Sequence, residues 1–182
     1  MNKNKAAFLD RDGVINVDVG YLWEKEKFIW MPGAQKTIQL LNILKYKVIV
    51  ITNQPQISMT EYSCKEEDVI ELHNWMNSEL KRLNAHIDDF YVCPHQNSDN
   101  CNCRKPHPKM ILDAIKKWKI NKRLSFLIGD KDIDIQAARA AKIQAYKFTD
   151  KNLYKFLLDL ILFNKESYYP NTKKERIKHE KS

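Results

Sequence analysis

Ala6-Ala7-Phe8-Leu9-Asp10-Arg11-Asp12-Gly13 decides how this chain is read. Four apolar residues in a row form a short buried strand, because a strand covered on both faces need not alternate. Polar residues follow at once, and Gly13 permits a turn that a side chain would hinder. Asp10 and Asp12 are two apart, so extended backbone sends both carboxylates to one side. Similar runs recur at Val48 to Thr52, Asp89 to Cys93, Ser125 to Gly129 and Gln144 to Phe148. Helical patterns lie between them: Ala34 to Lys45, Glu66 to Leu83, a helix opened by Pro108, and Ile133 to Lys142. Val69, Leu72, Met76, Leu80 and Leu83 mark one face of the second helix, and Ser63 with Glu66 predicts a capping box at its start. Strand–helix alternation implies an α/β fold: a Rossmann-like parallel sheet, helices on both faces, right-handed crossovers. Leu153, Phe156, Leu157, Leu160 and Ile161 form a last apolar stripe that packs on the domain. The expected organisation is one domain over 1–164 and a basic tail, 165–182, that frays.

A length of 182 residues suits one domain. Hydrophobic residues at 43% and charged residues at 30% exclude a disordered chain or a fibre. No apolar run is long enough to cross a bilayer. Asp10, Arg11 and Asp12 interrupt any signal segment after Met1 to Lys5, so a cytoplasmic protein is expected. Thirty-one basic residues against 23 acidic leave a net charge of +8. That excess suits nucleic acid or a phosphorylated metabolite equally, or reflects a lysine-rich composition, and does not choose among them.

In an open parallel sheet, ligands bind beyond the carboxyl ends of the strands. The first strand ends in Asp10-Arg11-Asp12-Gly13, the second in Thr52-Asn53 and the fourth in Gly129-Asp130. Clustered carboxylates repel one another unless a cation neutralises them, and Mg²⁺ is a hard ion that takes oxygen ligands. Carboxylates, a hydroxyl and nearby lysines suit phosphoryl transfer. One aspartate attacks phosphorus, a second shuttles the proton, and cationic and hydroxyl groups hold the phosphoryl oxygens.

Three of the four cysteines fall within Cys93-x-His95-x5-Cys101-x-Cys103. Three thiolates and an imidazole make a full tetrahedral Zn²⁺ set with no position open for water, which is a structural site. Zinc would order a loop, 93–108, that has almost no hydrophobic residues of its own. Cys64 reads as a small helical residue, and His73 and His86 as surface or boundary residues.

Phe8-Leu9-Asp10-Arg11-Asp12-Gly13-Val14-Ile15-Asn16, Ile51-Thr52-Asn53-Gln54, Arg104-Lys105-Pro106 and Gly129-Asp130-Lys131 resemble the four motifs of the haloacid dehalogenase superfamily of phosphatases. The match in order and spacing runs from residue 6 to about 148. The resemblance implies Asp10 as nucleophile, Asp12 as general acid/base, and Thr52 and Lys105 as ligands of the phosphoryl group. It implies Mg²⁺ held by Asp10, the Asp12 carbonyl and Asp130, with Asp134 in support. No long insert separates the first two motifs, so no cap domain is expected. The zinc loop and the residue 16–30 loop would wall an open site.

Within the superfamily the zinc loop resembles two groups, the D-glycero-D-manno-heptose 1,7-bisphosphate 7-phosphatases and the histidinol-phosphate phosphatases. Asn16-Val17-Asp18-Val19-Gly20-Tyr21, Leu72-His73-x-Trp75-Met76-Asn77 and Arg104-Lys105-Pro106-His107-Pro108-x-Met110 are similar to the first. That likeness implies a monomeric enzyme of nucleotide-activated heptose synthesis, acting on a small sugar phosphate. Asp18, Val19, Gly20 and Tyr21 would line the sugar side. Arg104 and Lys131 would meet the distal phosphate, and Asn53 and Gln54 would complete the substrate contacts. The alternatives are a phosphatase of histidinol phosphate or another small ester, and a protein that binds anions or nucleic acid without turnover. One stretch departs from the family pattern. After Gln54 a Ser-Gly pair and then an Arg-Gly are usual, whereas this chain has Pro55-Gln56-Ile57-Ser58-Met59.

Overall fold

A computed structural model describes residues 4–168, with side chains through Leu162. Five strands form one sheet: β1 (Lys5–Leu9), β2 (Tyr46–Asn53), β3 (Asp89–Cys93), β4 (Phe126–Gly129) and β5 (Gln144–Lys147). Five α-helices connect or flank them: α1 (Ala34–Ile43), α2 (Glu66–Lys81), α3 (Lys109–Trp118), α4 (Asp132–Ala140) and α5 (Leu153–Tyr168). Every pairing is parallel and the strand order is β3-β2-β1-β4-β5. The chain winds outward from β1 to β3, then crosses back to place β4 on the other side of β1. The reversal opens a crevice at the carboxyl ends of β1 and β4, where such sheets bind ligands.

Alternate residues of each central strand face opposite layers. Ala7, Leu9, Val48, Val50 and Ile128 pack with Ile38 and Leu41 of α1, Leu72, Met76 and Leu80 of α2, and Leu153 and Leu157 of α5. Ala6, Phe8, Ile49, Ile51 and Leu127 pack with Met110, Ile111 and Ala114 of α3 and Ala137 and Ala138 of α4. The expectation of strands buried on both faces holds for β1, β2 and β4. The outer strands differ: β5 is half-exposed along its length, and most of β3 is only partly buried, because an edge strand has a neighbour on one side alone.

Two helix boundaries depart from the expected signals. Ser63 does not cap α2. The helix starts after Lys65, whose N–H donates to the Asp68 carboxylate at 2.7 Å, so an acidic third residue supplies the cap. The last helix continues to Tyr168, past the boundary expected at 164, and residues 169–182 of the expected tail lie outside the described residues. Among the described residues no helix is long and apolar enough to cross a membrane. No cap domain stands between β1 and β2; the intervening chain is a loop over residues 10–33, with one 3-10 turn at Lys25–Lys27, and then α1.

Phe8 is fully enclosed at the centre of the second layer. Phe8→Ala is expected to lower the unfolding free energy by about 3–5 kcal/mol in urea titration. A loss below about 1 kcal/mol would mean the layer collapses around the vacated volume.

Candidate active site

Register brings the reactive residues to one edge. Leu9 pairs with Val50 on one side and Ile128 on the other, so Asp10, Thr52 and Asp130 follow onto a common rim. The Asp10 N–H donates to the Ile128 carbonyl at 3.0 Å, which carries the sheet one residue past the strand. Gly13 then turns the chain at φ +87°, and a side chain there would collide with the Asp130 carboxylate. A side chain at Gly129 would likewise collide with Asp134.

The Lys105 ammonium lies buried among three acceptors: Asp10 Oδ1 at 2.8 Å, Asp134 Oδ1 at 2.6 Å and the Ile51 carbonyl at 2.9 Å. Burial opposes its charge, but Asp10 and Asp134 hold its pKa above the usual lysine range. Burial also pushes the Asp10 carboxyl up to about 7; Asp134 and Asp12 push the same way, and Lys105 opposes them. The carboxylates of Asp10, Asp130 and Asp134 each place an oxygen within 4.8 Å of the others. Asp134, expected only in support, is thus a full member of the cluster. Asp130 Oδ1 and, its ion pair with Lys105 aside, Asp134 Oδ1 are both buried without a hydrogen-bond partner, and burial raises the Asp130 carboxyl. Three carboxylates against one ammonium, with two oxygens that no hydrogen bond satisfies, fit a hard divalent cation.

Asp12 is held differently. Its Oδ1 accepts from Arg11 Nε at 3.2 Å, Arg11 Nη2 at 3.1 Å and Asn16 Nδ2 at 3.0 Å, and its Oδ2 accepts from Gln54 Nε2 at 2.7 Å. Its carboxylate stands outside the acidic cluster.

A cavity of about 270 Å³ opens over these groups. Asp10, Asp12, Thr52, Gln54 and Lys105 line it together with Asp18, Gly20, Tyr21, Asn53, Arg104 and Lys131. Val19 is half-exposed and is not among the lining residues, because the turn at Asp18–Gly20 sends it to solvent. Lys131 Nζ pairs with Asp18 across the opening at 2.9 Å, lowering the Asp18 pKa against the effect of burial. Tyr21 packs edge-on against Tyr62 with centroids 4.8 Å apart. Asn53 turns inward: its Oδ1 accepts from the Lys105 N–H at 3.0 Å and its Nδ2 donates to the Lys105 carbonyl at 3.3 Å.

At the end of β3, Cys93, His95, Cys101 and Cys103 come together with all ligand atoms within 4.8 Å. Cys93 Sγ lies 2.9 Å from Cys103 Sγ and 3.6 Å from Cys101 Sγ, and His95 Nδ1 lies 3.2 Å from Cys103 Sγ. Three sulfurs and one nitrogen gathered at one point are the donor set of a tetrahedral, thiophilic ion. Arg104 Nη1 donates to the His95 carbonyl at 3.0 Å, joining this cluster to the cavity wall. Cys64 takes no part in the cluster and sits buried just before α2, outside the helix.

Three contributors were not expected. Arg11 is wholly buried, Gln56 is wholly buried, and His73 is buried rather than at a surface. His73 stacks on Phe90 at 4.1 Å, with its Nε2 3.4 Å from Arg11 Nη1. His86 is exposed, as expected. The only sequence signal for Arg11 was a cation set between two aspartates at a strand end.

A model described as haloacid dehalogenase-like hydrolase matches residues 3–142. The chain is 40% identical over 167 residues to a D-glycero-beta-D-manno-heptose-1,7-bisphosphate 7-phosphatase of Rhodopseudomonas palustris, covering 88% of this chain and 92% of that one. It is 42% identical over 145 residues to the similarly named protein of Helicobacter pylori strain 26695, covering 79% and 83%. Among solved structures, a D,D-heptose 1,7-bisphosphate phosphatase from B. bronchiseptica, complexed with magnesium and phosphate, superposes with a TM-score of 0.75 at 26% identity, covering 86% of each chain.

Burial, and then the charge of Arg11, push His73 down to about 3. The unfolded chain takes up this proton below about pH 6.5 and the folded chain does not until about pH 3, so stability falls through that window as pH falls. The contribution of this group is about 1.4 kcal/mol per pH unit. His73→Gln keeps an acceptor for Arg11 without the titration. Its urea-unfolding free energy is expected to decline less steeply between about pH 6.5 and 4. Parallel slopes for the two proteins would contradict the assignment.

Proposed function

The chain belongs to the haloacid dehalogenase-like hydrolases, and from that premise we propose that it removes the 7-phosphate of D-glycero-β-D-manno-heptose 1,7-bisphosphate. It is a phosphoric monoester hydrolase by kinship. The substrate rests on relatives that cover most of the chain, and on a cavity lined by the cations Arg104, Lys105 and Lys131 together with the Asp10 and Asp12 carboxylates. The observation that carries the chemistry is Asp10, presented at the end of the central strand and bound to Lys105 beside the orphan oxygen of Asp130.

Asp10 attacks phosphorus and the bond to the sugar oxygen breaks. Asp12 gives its proton to that oxygen, then takes one from the water that attacks the aspartyl-phosphate, which returns Asp10 and releases phosphate. Lys105 holds Asp10 in place and sets positive charge against the phosphoryl group. Thr52 Oγ1 accepts from Gln54 Nε2 at 2.7 Å, which leaves its own hydrogen to donate to a phosphoryl oxygen. Arg104 and Lys131 would meet the second phosphate, which would replace Asp18 as the partner of Lys131. Asp10, Asp130 and the Asp12 carbonyl would hold Mg²⁺, with Asp134 beside them. When bound, this ion neutralises the carboxylates and the charge on the phosphoryl oxygens. Cys93, His95, Cys101 and Cys103 would hold Zn²⁺ as a structural ion. The enzyme would act as a cytoplasmic monomer in making an activated heptose.

Asp10→Asn is expected to lower kcat about a thousandfold or more with the fold intact. Retained activity would remove Asp10 as the nucleophile. Phosphate release with Mg²⁺ from both heptose bisphosphate anomers, histidinol phosphate and fructose 1,6-bisphosphate is expected to favour the β-heptose ester. Equal, slow turnover of all four would overturn the substrate. Freshly reduced protein is expected to carry about one zinc per chain, and Cys101→Ser to lose it along with several degrees of melting temperature. Zinc-free protein of unchanged melting temperature would refute the structural ion.

A further inference from the structure

Gln54 lines the cavity, yet its amide is fully used inside the protein. Its Nε2 donates to Asp12 Oδ2 and to Thr52 Oγ1, both at 2.7 Å. Its Oε1 accepts from Arg11 Nη2 at 2.8 Å and from Gln56 Nε2 at 2.6 Å. Two donors and two lone pairs are the whole capacity of a side-chain amide. A substrate oxygen could bind Gln54 only by displacing one of these partners in a buried setting, which leaves a polar group unpaired.

The same bonds fix which way the amide faces. A flip would set its NH₂ against a guanidinium and a second NH₂, so Nε2 is pinned toward Asp12. Gln56 is brought inward by the short turn Pro55–Ile57, in which Ile57 N–H returns to the Gln54 carbonyl at 3.3 Å and Ser58 N–H to that of Pro55 at 2.9 Å. The stretch that departs from the family pattern thus supplies the outer amide of the chain of bonds. Arg11 and Asn16 meet only Oδ1 of Asp12. Gln54 alone meets Oδ2 among the described contacts, so without it the carboxyl can pivot about its other oxygen.

We infer that Gln54 is a positioning residue, not a substrate contact: braced by Gln56 and Arg11, it fixes the carboxyl plane of Asp12. The inference rests on Asp12 as the acid/base. Proton transfer to a leaving oxygen depends steeply on the placement of the acid. An alkoxide leaving from a sugar needs that proton, whereas a nitrophenolate leaves without it. Loss of Gln54 therefore harms sugar esters more than aryl esters. The ratio kcat/KM reads steps up to cleavage of the P–O bond and is blind to later hydrolysis of the aspartyl-phosphate.

The test compares the full-length protein with Gln54→Met, Gln56→Met and Asp12→Asn, all with Mg²⁺. The substrates are p-nitrophenyl phosphate and the sugar phosphate turned over fastest. Gln54→Met also frees Thr52 and so lowers kcat/KM on both esters, but the loss on the sugar ester is expected to exceed that on the aryl ester about tenfold or more. Gln56→Met is expected to lose less, in the same pattern. Equal losses on both esters would reduce Gln54 to a structural role and overturn the inference, as would no loss. Should Gln54→Met not fold, Gln54→Glu keeps the shape without the donor and reads the same ratio. If Asp12→Asn discriminates between the esters and the Gln54 variants do not, only the positioning inference falls. If Asp12→Asn itself fails to discriminate, the assignment of Asp12 falls with it.

Discussion

The site is organised around one buried ammonium. Lys105 donates to the Ile51 carbonyl and forms ion pairs with Asp10 and Asp134, so its charge is met by three acceptor oxygens. These acceptors come from the end of β1, the start of α4 and the body of β2. One side chain therefore ties together the three elements that converge on the cavity. A buried charge is expensive, and an arrangement of this kind is tolerable only when every partner is present; losing one costs about 3–5 kcal/mol. Asp134 answers to a second constraint as well, since its Oδ2 accepts from the Lys131 N–H at 2.9 Å and so caps α4. Gly129 must lack a side chain for that carboxylate to sit where both contacts are made.

The charges there do not balance. Asp10, Asp130 and Asp134 bring three carboxyls to a volume that holds a single ammonium. The surplus has two visible effects: burial and like charge push Asp10 up to about 7, and Asp130 keeps a buried oxygen with no donor. A fold selected for stability alone would remove one carboxylate. Keeping all three makes sense where a cation and a phosphoryl group are to be received, because the groups that destabilise the empty site are those that bind its contents.

Much of this was legible in the sequence, because short apolar runs that end in polar residues carry both strand and site. Asp10, Thr52 and Asp130 could be placed on one rim from strand ends alone, and the cysteine spacing announced a cluster that the fold does assemble. What stayed hidden depends on where side chains go after the backbone has turned. Nothing in the spelling Asp-Arg-Asp says that Arg11 is fully buried, or that His73, on a helix with a clear apolar stripe, stacks beneath it on Phe90. The family resemblance implied Asn53 and Gln54 as substrate contacts. The structure turns Asn53 onto the Lys105 backbone and Gln54 onto Asp12, since a buried amide takes the nearest partners that satisfy it. The α2 cap was misplaced for a similar reason: Ser63 is a good capping residue, but Asp68 reaches the open N–H two residues further on.

The cysteine cluster bears on the same ammonium. Residues 94–108 contain no Val, Ile, Leu, Met, Phe, Tyr or Trp that could form a small core, yet this stretch must hold Arg104 and Lys105 in register against the sheet. Two fastenings bear on the backbone of Lys105 and on Arg104. Asn53, at the end of β2, brackets the Lys105 backbone, and the cluster at the end of β3 reaches Arg104 through the His95 carbonyl. A bound ion would supply there the cohesion that apolar burial supplies elsewhere in the fold. Its effect on catalysis would then be indirect, passing through the positions of two cations rather than through any contact with substrate. That explains why four metal-type ligands stand outside the cavity while the residue that follows them contributes to its wall.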